Sequence, residues 1–201
     1  MSRERISHVD TAWLRMDRPT NLMQIVGVMI FEGRLDFARF RRTVEARMLR
    51  YRRFRQLAEN DANAAWWVDD RNFDLDAHLK HTLLPAPGGT EELQRHVAEL
   101  ASTPLNPGRP LWEFEVVEMN TGDSALVARI HHSIADGIAL IGVMLSLTDD
   151  TADAPADVAP PPLHMQLDDE EPPDSHGDLF WRWIFQPMSD ATLAALRLSG
   201  H

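Results

Sequence analysis

A short polar segment, residues 131–137, has the residue types and spacing for proton-transfer chemistry. It reads HHSIADG, with two adjacent histidines, His131 and His132, followed by Asp136 and Gly137. Histidine titrates near neutral pH, so a neutral imidazole can accept a proton from a substrate hydroxyl. Asp136 follows His132 by four residues, and Gly137 permits a tight turn between them and the next element. The segment is therefore a candidate site for general base catalysis.

Two other interpretations of the histidine pair remain open from the residues alone. A histidine pair near a turn is more often a hydrogen-bonded structural feature than a catalytic base. Two histidines and one aspartate can also bind a metal ion, but adjacent histidines lack the i, i+4 spacing that places both on one helix face, and we expect no metal. His78 and His81 have a ligand-like spacing, but they lie in a predicted extended segment, and we expect both on the surface.

The elements around this segment determine where the histidines lie. Residues 111–118 and 124–130 are mostly apolar and are separated by a Thr121-Gly122-Asp123 turn, which predicts an antiparallel hairpin. Residues 138–147 predict a strongly apolar helix. Because side chains alternate along a strand, His131 and His132 are expected to point to opposite sides, one facing a cavity and the other supporting it.

The segments before the hairpin predict both helices and strands. Ser7, with Asp10 three positions later, is typical of a helix N-cap. Residues 22–31 are rich in Val and Ile and lie between Pro19 and Gly33, which predicts a strand buried on both faces. Shorter patterns predict two extended pieces and one amphipathic helix, over residues 64–68, 73–84 and 91–102 respectively.

The clearest helical pattern in the chain begins at Asp36. Its apolar residues recur at helical spacing, as Phe37, Phe40, Val44, Met48 and Tyr51. The other side carries eight arginines between Arg39 and Arg55, although the whole chain is acidic. Such a charge run is usually a solvated face, and the functional alternative is attraction to anionic lipid headgroups or to the phosphates of a ligand.

Composition excludes several classes of protein. The chain has 201 residues, no cysteine and a net charge of -11, so disulfide frameworks, thiolate nucleophiles and general nucleic-acid binding are not expected. No secretory signal follows the charged start, which favours a cytoplasmic location. The longest apolar stretches are about half of the roughly 20 residues that a membrane span requires. We therefore expect any membrane contact to be peripheral.

Composition also divides the chain into three parts. Residues 1–148 contain the patterned strands and helices. Residues 149–178 are rich in proline and acidic residues and predict a linker, and residues 179–201 predict a helical C-terminal extension.

The segment HHSIADG matches the HHxxxDG signature of coenzyme A-dependent acyltransferases, a superfamily that includes chloramphenicol acetyltransferase, carnitine acyltransferases and peptide synthetase condensation domains. The surrounding residues narrow the resemblance to one family within this superfamily. Three further segments match in order, Ser7 to Arg15 (SHVDTAWLR), Arg18 to Met23 (RPTNLM) and Arg109 to Glu113 (RPLWE). The chain resembles the N-terminal half of bacterial wax ester synthase/diacylglycerol acyltransferases over residues 5 to about 150.

This resemblance implies an α/β fold of α+β type, a chloramphenicol acetyltransferase-like half-domain with a mixed sheet flanked by helices. It implies transfer of a fatty acyl group from acyl-CoA to diacylglycerol or to a long-chain alcohol, with acyl-CoA as co-substrate and no cofactor. Family members are longer and fold as two similar halves. The alternative is therefore a catalytically silent half-domain that binds lipid or a membrane surface and needs a separate second half.

The resemblance also implies roles for individual residues. His132 is the general base, whereas His131, Asp136 and Gly137 support it, with Asp136 pairing with an arginine. The segment Pro110, Leu111 and Trp112 shapes the acyl pocket or its supporting strand, although Trp112 is equally well explained as a core aromatic. The expected substrates are acyl-CoA and the acceptor alcohol. The chain is expected to contact a membrane or lipid-droplet surface, at the inner membrane face or at lipid inclusions. Its expected protein partner is a missing C-terminal half or a second copy of the chain.

Overall fold

The computed structural model describes residues 3–61, 64–134, 137–149, 151 and 155, apart from the side chains of residues 137–139. Most of the predicted linker, residues 149–178, lies outside the described residues, as do Asp136 and the predicted extension at residues 179–201. That part of the predicted division into segments stays a prediction.

Two sheets are present in the described residues. The strands are β1 (Arg3–Arg5), β2 (Gln24–Phe31), β3 (Gln56–Asn60), β4 (Ala65–Asp69), β5 (Leu79–Leu83), β6 (Trp112–Glu118) and β7 (Ser124–His131). A four-stranded sheet has the order β2-β7-β6-β5, in which β5 and β6 are parallel and the other pairs are antiparallel. A smaller antiparallel sheet has the order β1-β4-β3. The larger sheet is therefore mixed, as predicted.

Helices flank the mixed sheet. The α-helices are α1 (His8–Met16), α2 (Phe37–Thr43), α3 (Thr90–Ala101) and α4 (Gly137–Ser146), and α2 continues into a π-helical turn, Val44–Met48. Ser7 is the N-cap of α1, since its hydroxyl accepts a hydrogen bond from the Asp10 backbone N–H at 3.0 Å. The predicted cap is thus confirmed. No helix in the described part of the chain combines the length and apolar character needed to cross a bilayer.

The predicted hairpin is confirmed by the pairing of β6 with β7. Trp112 lies opposite Ile130 and Glu118 lies opposite Ser124, and the turn between them includes Gly122 with a φ of 93°. Every residue of β7 is buried. The strand that leads into the histidine pair is therefore fixed by packing on both faces.

The two faces of β7 pack against different helices. Leu126 and Ile130 belong to a core cluster with Phe40 of the second helix and Leu140 of the fourth. Residues on the opposite face, among them Val127, pack with α3 and its buried Leu93. The mixed sheet is thus covered by helices on both sides, which is an α/β architecture.

The prediction for residues 22–31 is only partly right. They form a strand, but β2 pairs with β7 alone among the described strands, and Val28 and Ile30 are exposed. A strand at the edge of a sheet has one neighbour, so its outer side chains are not covered as they are in a central strand. The apolar run correctly indicated a strand but did not reveal its place in the sheet.

The arginine-rich segment is a solvated face only in part, since Arg42 and Arg55 are exposed but Arg47 and Arg53 are buried. Four of its side chains form ion pairs with carboxylates from distant parts of the chain: Arg41 with Asp76 (2.6 Å), Arg47 with Asp149 (2.8 Å), Arg52 with Asp69 (2.9 Å) and Arg53 with Glu4 (3.0 Å). These contacts neutralise much of the local positive charge. The hydrogen bond from Arg41 holds the pKa of the Asp76 carboxyl below its usual value.

Arg47 is the most deeply buried of these arginines, with only 1% of its surface exposed. Besides its ion pair with Asp149, it donates hydrogen bonds to the carbonyl oxygens of Ser146 and Thr148 at 3.4 Å and of Pro155 at 3.0 Å. Carbonyl groups at a helix C-terminus lack intrahelical partners, and a buried cation satisfies them. Arg47 therefore fixes the chain where it leaves α4.

Candidate active site

The two motif histidines lie at the end of β7, where backbone hydrogen bonds hold them between two neighbouring segments. The N–H of His131 donates to the carbonyl oxygen of Leu111, and the N–H of His132 donates to the carbonyl oxygen of Met23, both at 2.9 Å. His131 also lies opposite Gln24 in the register of β2 and β7. The backbone of the pair is thus fixed from both sides of the strand.

His131 is buried and held in one orientation. Its Nδ1 accepts a hydrogen bond from the Ser133 backbone N–H at 3.1 Å and lies 2.8 Å from the Ser133 hydroxyl. The ring proton of the neutral form is therefore on Nε2, which lies 3.8 Å from a carboxylate oxygen of Asp17. Burial lowers the pKa of His131, although the charge of Asp17 opposes this effect. His131 is accordingly neutral near pH 7 and structural in its contacts.

His132 differs from His131 in both exposure and contacts. Its ring is partly exposed and stacks on the indole of Trp13, with ring centroids 4.8 Å apart and an angle of 22° between the planes. Among the residues that the structure describes, no side chain forms a hydrogen bond with its ring nitrogens. Within the described part of the chain, the ring nitrogens of His132 are therefore not engaged by another side chain.

The two histidine rings are not separated as the strand alternation predicted. His131 approaches Asp17, the C-cap of α1, and His132 stacks on Trp13, one helical turn earlier. The reason is that β7 ends at His131, so His132 already lies in the turn that follows. Both rings therefore reach the same end of the first helix.

The remaining motif residues are only partly described. Gly137 begins α4, which directly follows the histidine turn. Asp136 lies outside the described residues, so its pairing with an arginine stays a prediction. In the part of the chain that the structure covers, no group of three or more histidine and carboxylate side chains is placed to bind a metal.

Pro110, Leu111 and Trp112 lie beside the histidines and are all buried. The carbonyl oxygen of Leu111 accepts the hydrogen bond from His131 described above. Trp112 is 1% exposed, and its Nε1–H donates to the carbonyl oxygen of Phe54 at 2.8 Å. The segment thus supports the histidine strand and fills the core, and its predicted part in an acyl pocket stays a prediction.

The prediction that His78 lies on the surface is wrong. His78 is 2% exposed, its ring lies between Phe73 and Trp112, and its Nδ1–H donates to the Trp112 carbonyl oxygen at 2.7 Å. The tight aromatic packing explains the burial, because a neutral imidazole with one hydrogen bond fits an apolar site. His81, in contrast, is largely exposed and pairs with Glu118.

Buried His78 predicts an acid-sensitive fold. Burial lowers the pKa of His78 below 6.5, so the unfolded chain binds a proton that the folded chain does not. Stability is therefore complete above about pH 6.5 and falls as the pH drops below it, by at most about 1.4 kcal/mol per pH unit for each such histidine.

This pH dependence is measurable by urea unfolding of the wild type and of His78→Gln between pH 8 and pH 5.5. In His78→Gln the free energy of unfolding should depend less steeply on pH than in the wild type, whereas His8→Gln, at an exposed position, should keep the wild-type dependence. A wild-type stability that rises on acidification in this range contradicts the prediction.

A charged network near the histidine strand was not predicted from the sequence. Arg129 of β7 forms an ion pair with Glu113 of β6 and donates to the carbonyl oxygens of Leu100 (3.0 Å) and Thr103 (2.8 Å) at the end of α3. Burial alone raises the pKa of Glu113, but hydrogen bonds from Lys80 and Arg129 outweigh it and lower that pKa. The network ties α3 to the strand that carries the histidines.

A cavity of about 500 Å³ lies at the other end of the sheet. Phe31, Leu35, Phe40 and Met144 line it, together with residues that follow α4. Phe31 pairs with Ser124 at the start of β7, whereas the histidines are at its end. This cavity is therefore separate from the histidine pair and from the predicted pocket at residues 110–112.

Known structures share this architecture. The starter condensation domain of rhizomide synthetase is 16% identical, with a TM-score of 0.60, and the match covers 72% of this chain and 36% of that one. At that identity the likeness shows the fold alone. The wax ester synthase/diacylglycerol acyltransferase from Marinobacter aquaeolei VT8 is 26% identical, with a TM-score of 0.57, over 68% of this chain and 36% of that one. The chain therefore has the condensation-domain type of acyltransferase fold.

The sequence places the chain within one family of that fold. Residues 6–197 match the model of the wax ester synthase/diacylglycerol acyltransferase catalytic domain, and the chain belongs to this family. A Mycobacterium tuberculosis protein named for diacylglycerol O-acyltransferase activity is 32% identical over 163 residues, which is 76% of this chain and 32% of that protein. Another from the same organism is 30% identical over 160 residues, or 76% of this chain and 59% of that protein. The chain thus spans about a third of the length of the first of these relatives.

Proposed function

We propose that the chain transfers a fatty acyl group from acyl-CoA to the hydroxyl of diacylglycerol or of a long-chain alcohol, with His132 as the general base. The observation that supports this proposal most strongly is the state of the His132 ring. It is partly exposed, with nitrogen atoms free of side-chain partners among the described residues, whereas neighbouring His131 is buried and its Nδ1 is held by Ser133.

The proposed reaction needs one proton acceptor and no covalent enzyme intermediate. A ring nitrogen of His132 takes the proton of the acceptor hydroxyl while the hydroxyl oxygen attacks the thioester carbonyl. The tetrahedral intermediate then collapses with cleavage of the carbon–sulfur bond, and the imidazolium returns the proton to the CoA sulfur. The products are an ester and free CoA, and no cofactor is required.

Neutral His131 supports this role by its contacts. A second positive charge next to His132 would oppose formation of the imidazolium, and the burial of His131 prevents that charge near pH 7. Its hydrogen bonds to Ser133 hold the turn in which His132 lies. We therefore assign a supporting role to His131 and the proton transfer to His132.

The partners follow from the same proposal. Acyl-CoA and the acceptor alcohol are the substrates, and exposed apolar side chains on β2 and α4 favour contact with an apolar partner; these are Val28, Ile30, Ile141 and Leu145. That partner is a membrane or lipid-droplet surface, a separate second half of the enzyme, or a second copy of the chain. The cytoplasmic location stays a prediction.

The test is an acyl transfer assay with radiolabelled palmitoyl-CoA and the chain as it stands. Diacylglycerol and hexadecanol are supplied separately, and we expect labelled triacylglycerol or wax ester with equimolar release of CoA. Hydrolysis of palmitoyl-CoA without any ester contradicts the proposal. Flotation of the chain with lipid vesicles in the absence of ester formation supports the alternative, a silent lipid-binding domain.

A further inference from the structure

We propose that Trp13 is a positioning residue for His132, because its indole stacks on the imidazole, fixes the ring plane and stabilises the imidazolium that forms during proton transfer. This inference rests on the proposed function of His132 as the base. The stacked rings, 4.8 Å apart and 22° from parallel, are the central observation.

A chain of hydrogen bonds fixes Trp13 relative to His132. The carboxylate of Asp17, at the end of α1, accepts a hydrogen bond from the Met23 N–H at 2.8 Å. The carbonyl oxygen of the same Met23 accepts the hydrogen bond from the His132 N–H at 2.9 Å. The helix that carries Trp13 and the backbone of His132 are therefore bound to one residue, so the ring stack does not depend on the side chains alone.

The first helix makes few other contributions to the core. None of its residues is fully buried, and two of its apolar side chains, Val9 and Met16, are exposed. Trp13 itself is partly buried, unlike Trp112 in the core. The helix reaches the main core through the partly buried Leu14, so its contact with the histidine pair is one of the few that hold it against the sheet.

The stack favours the charged form of the histidine over the neutral form. An indole face attracts a cation within about 6 Å of its centroid, and the geometry here meets that distance. In the proposed step a neutral imidazole becomes an imidazolium as it takes the substrate proton, so this attraction grows along the reaction and lowers the barrier. Loss of such a contact at a partly exposed site corresponds to a decrease of about 5- to 30-fold in rate.

Kinetics of Trp13→Leu and Trp13→Phe test the positioning role. The leucine variant should lower kcat by about 5- to 30-fold with little change in KM for palmitoyl-CoA, because the contact is gained after substrate binding. The phenylalanine variant, which keeps an aromatic face, should recover most of that loss. Val9→Ala on the same helix is the control and should leave kcat unchanged. A leucine variant with wild-type kcat, or a phenylalanine variant as slow as leucine, overturns the inference.

A double variant shows whether Trp13 acts through His132. In a His132→Ala background, Trp13→Leu should reduce the residual rate no further, since residues that act as one unit are not additive. An additional loss equal to that of the single variant overturns the inference.

A spectroscopic measurement separates this inference from the proposed function. In the proton NMR spectrum, the ring signals of His132, identified by their disappearance in His132→Ala, should lie upfield because of the indole ring current and move downfield in Trp13→Leu. Unmoved signals overturn the stack whatever the activity. If the His132 signals move in Trp13→Leu but the wild type forms no ester, the ring stack is established and the proposed acyl transfer is refuted.

Discussion

Replacement of His132 by alanine is expected to lower kcat for ester formation by about 10²- to 10⁴-fold, which is the contribution of a positioned general base. At neutral pH an alcohol hydroxyl holds its proton almost completely, so the attack on the thioester is slow without an acceptor. His132 is partly exposed, and none of the described side chains forms a hydrogen bond with its ring that the substitution would remove. The fold should therefore persist, and circular dichroism should match the wild type.

The comparison needs a matched histidine. His8→Ala, at an exposed position in α1 away from the ring stack, should keep wild-type kcat. If His132→Ala forms ester as fast as His8→Ala, His132 is not the base and the proposed mechanism is wrong.

Replacement of Trp112 by alanine should destabilise the fold by about 3 to 5 kcal/mol, the usual cost of deleting a fully buried aromatic side chain. Trp112 contacts the rings of His78, Phe54 and Phe114, and its Nε1–H satisfies the carbonyl oxygen of Phe54. Alanine leaves both a cavity and an unpaired carbonyl group. Urea unfolding followed by circular dichroism measures the change.

Trp66 provides the control for this variant. It lies on β4, is only partly buried, and its Nε1–H is bonded to the exposed carboxylate of Asp61. Trp66→Ala should therefore cost clearly less stability than Trp112→Ala. Equal costs for the two variants would show that Trp112 is not a central core residue.

Local patterns in the sequence predicted the elements that position the site. The hairpin of β6 and β7, the cap at Ser7 and the apolar stripe at Phe40, Val44 and Met48 all depend on neighbours within a few residues. Helix period, turn chemistry and caps are local properties, so a single sequence contains them. The histidine motif likewise occupies one continuous segment.

The same local patterns did not predict long-range contacts. The pairing of Arg47 with Asp149, the burial of His78 beside Trp112 and the edge position of β2 depend on segments that meet only in the folded chain. A run of arginines indicates charge density, but not which carboxylates lie opposite. Local periodicity predicted a solvated face, which is right for exposed Arg42 and Arg55 but wrong for buried Arg47 and Arg53.

Within the site, the stack of Trp13 on His132 is likewise a long-range contact that local sequence patterns do not predict. The resemblance included the segment containing Trp13, but nothing in the spacing of residues 13 and 132 indicates that their rings meet. Their contact depends on Asp17 and Met23, which bring the end of α1 to the end of β7.

The central claim is that one imidazole, at position 132, accepts the substrate proton, and chemical rescue tests it most directly. His132→Gly leaves room for a free imidazole beside the indole of Trp13, and the rate of ester formation from palmitoyl-CoA is measured with and without added imidazole. We expect added imidazole to raise the rate of this variant in a saturable manner and to leave the wild type unchanged. A His132→Gly variant that forms ester at the wild-type rate without imidazole contradicts the account.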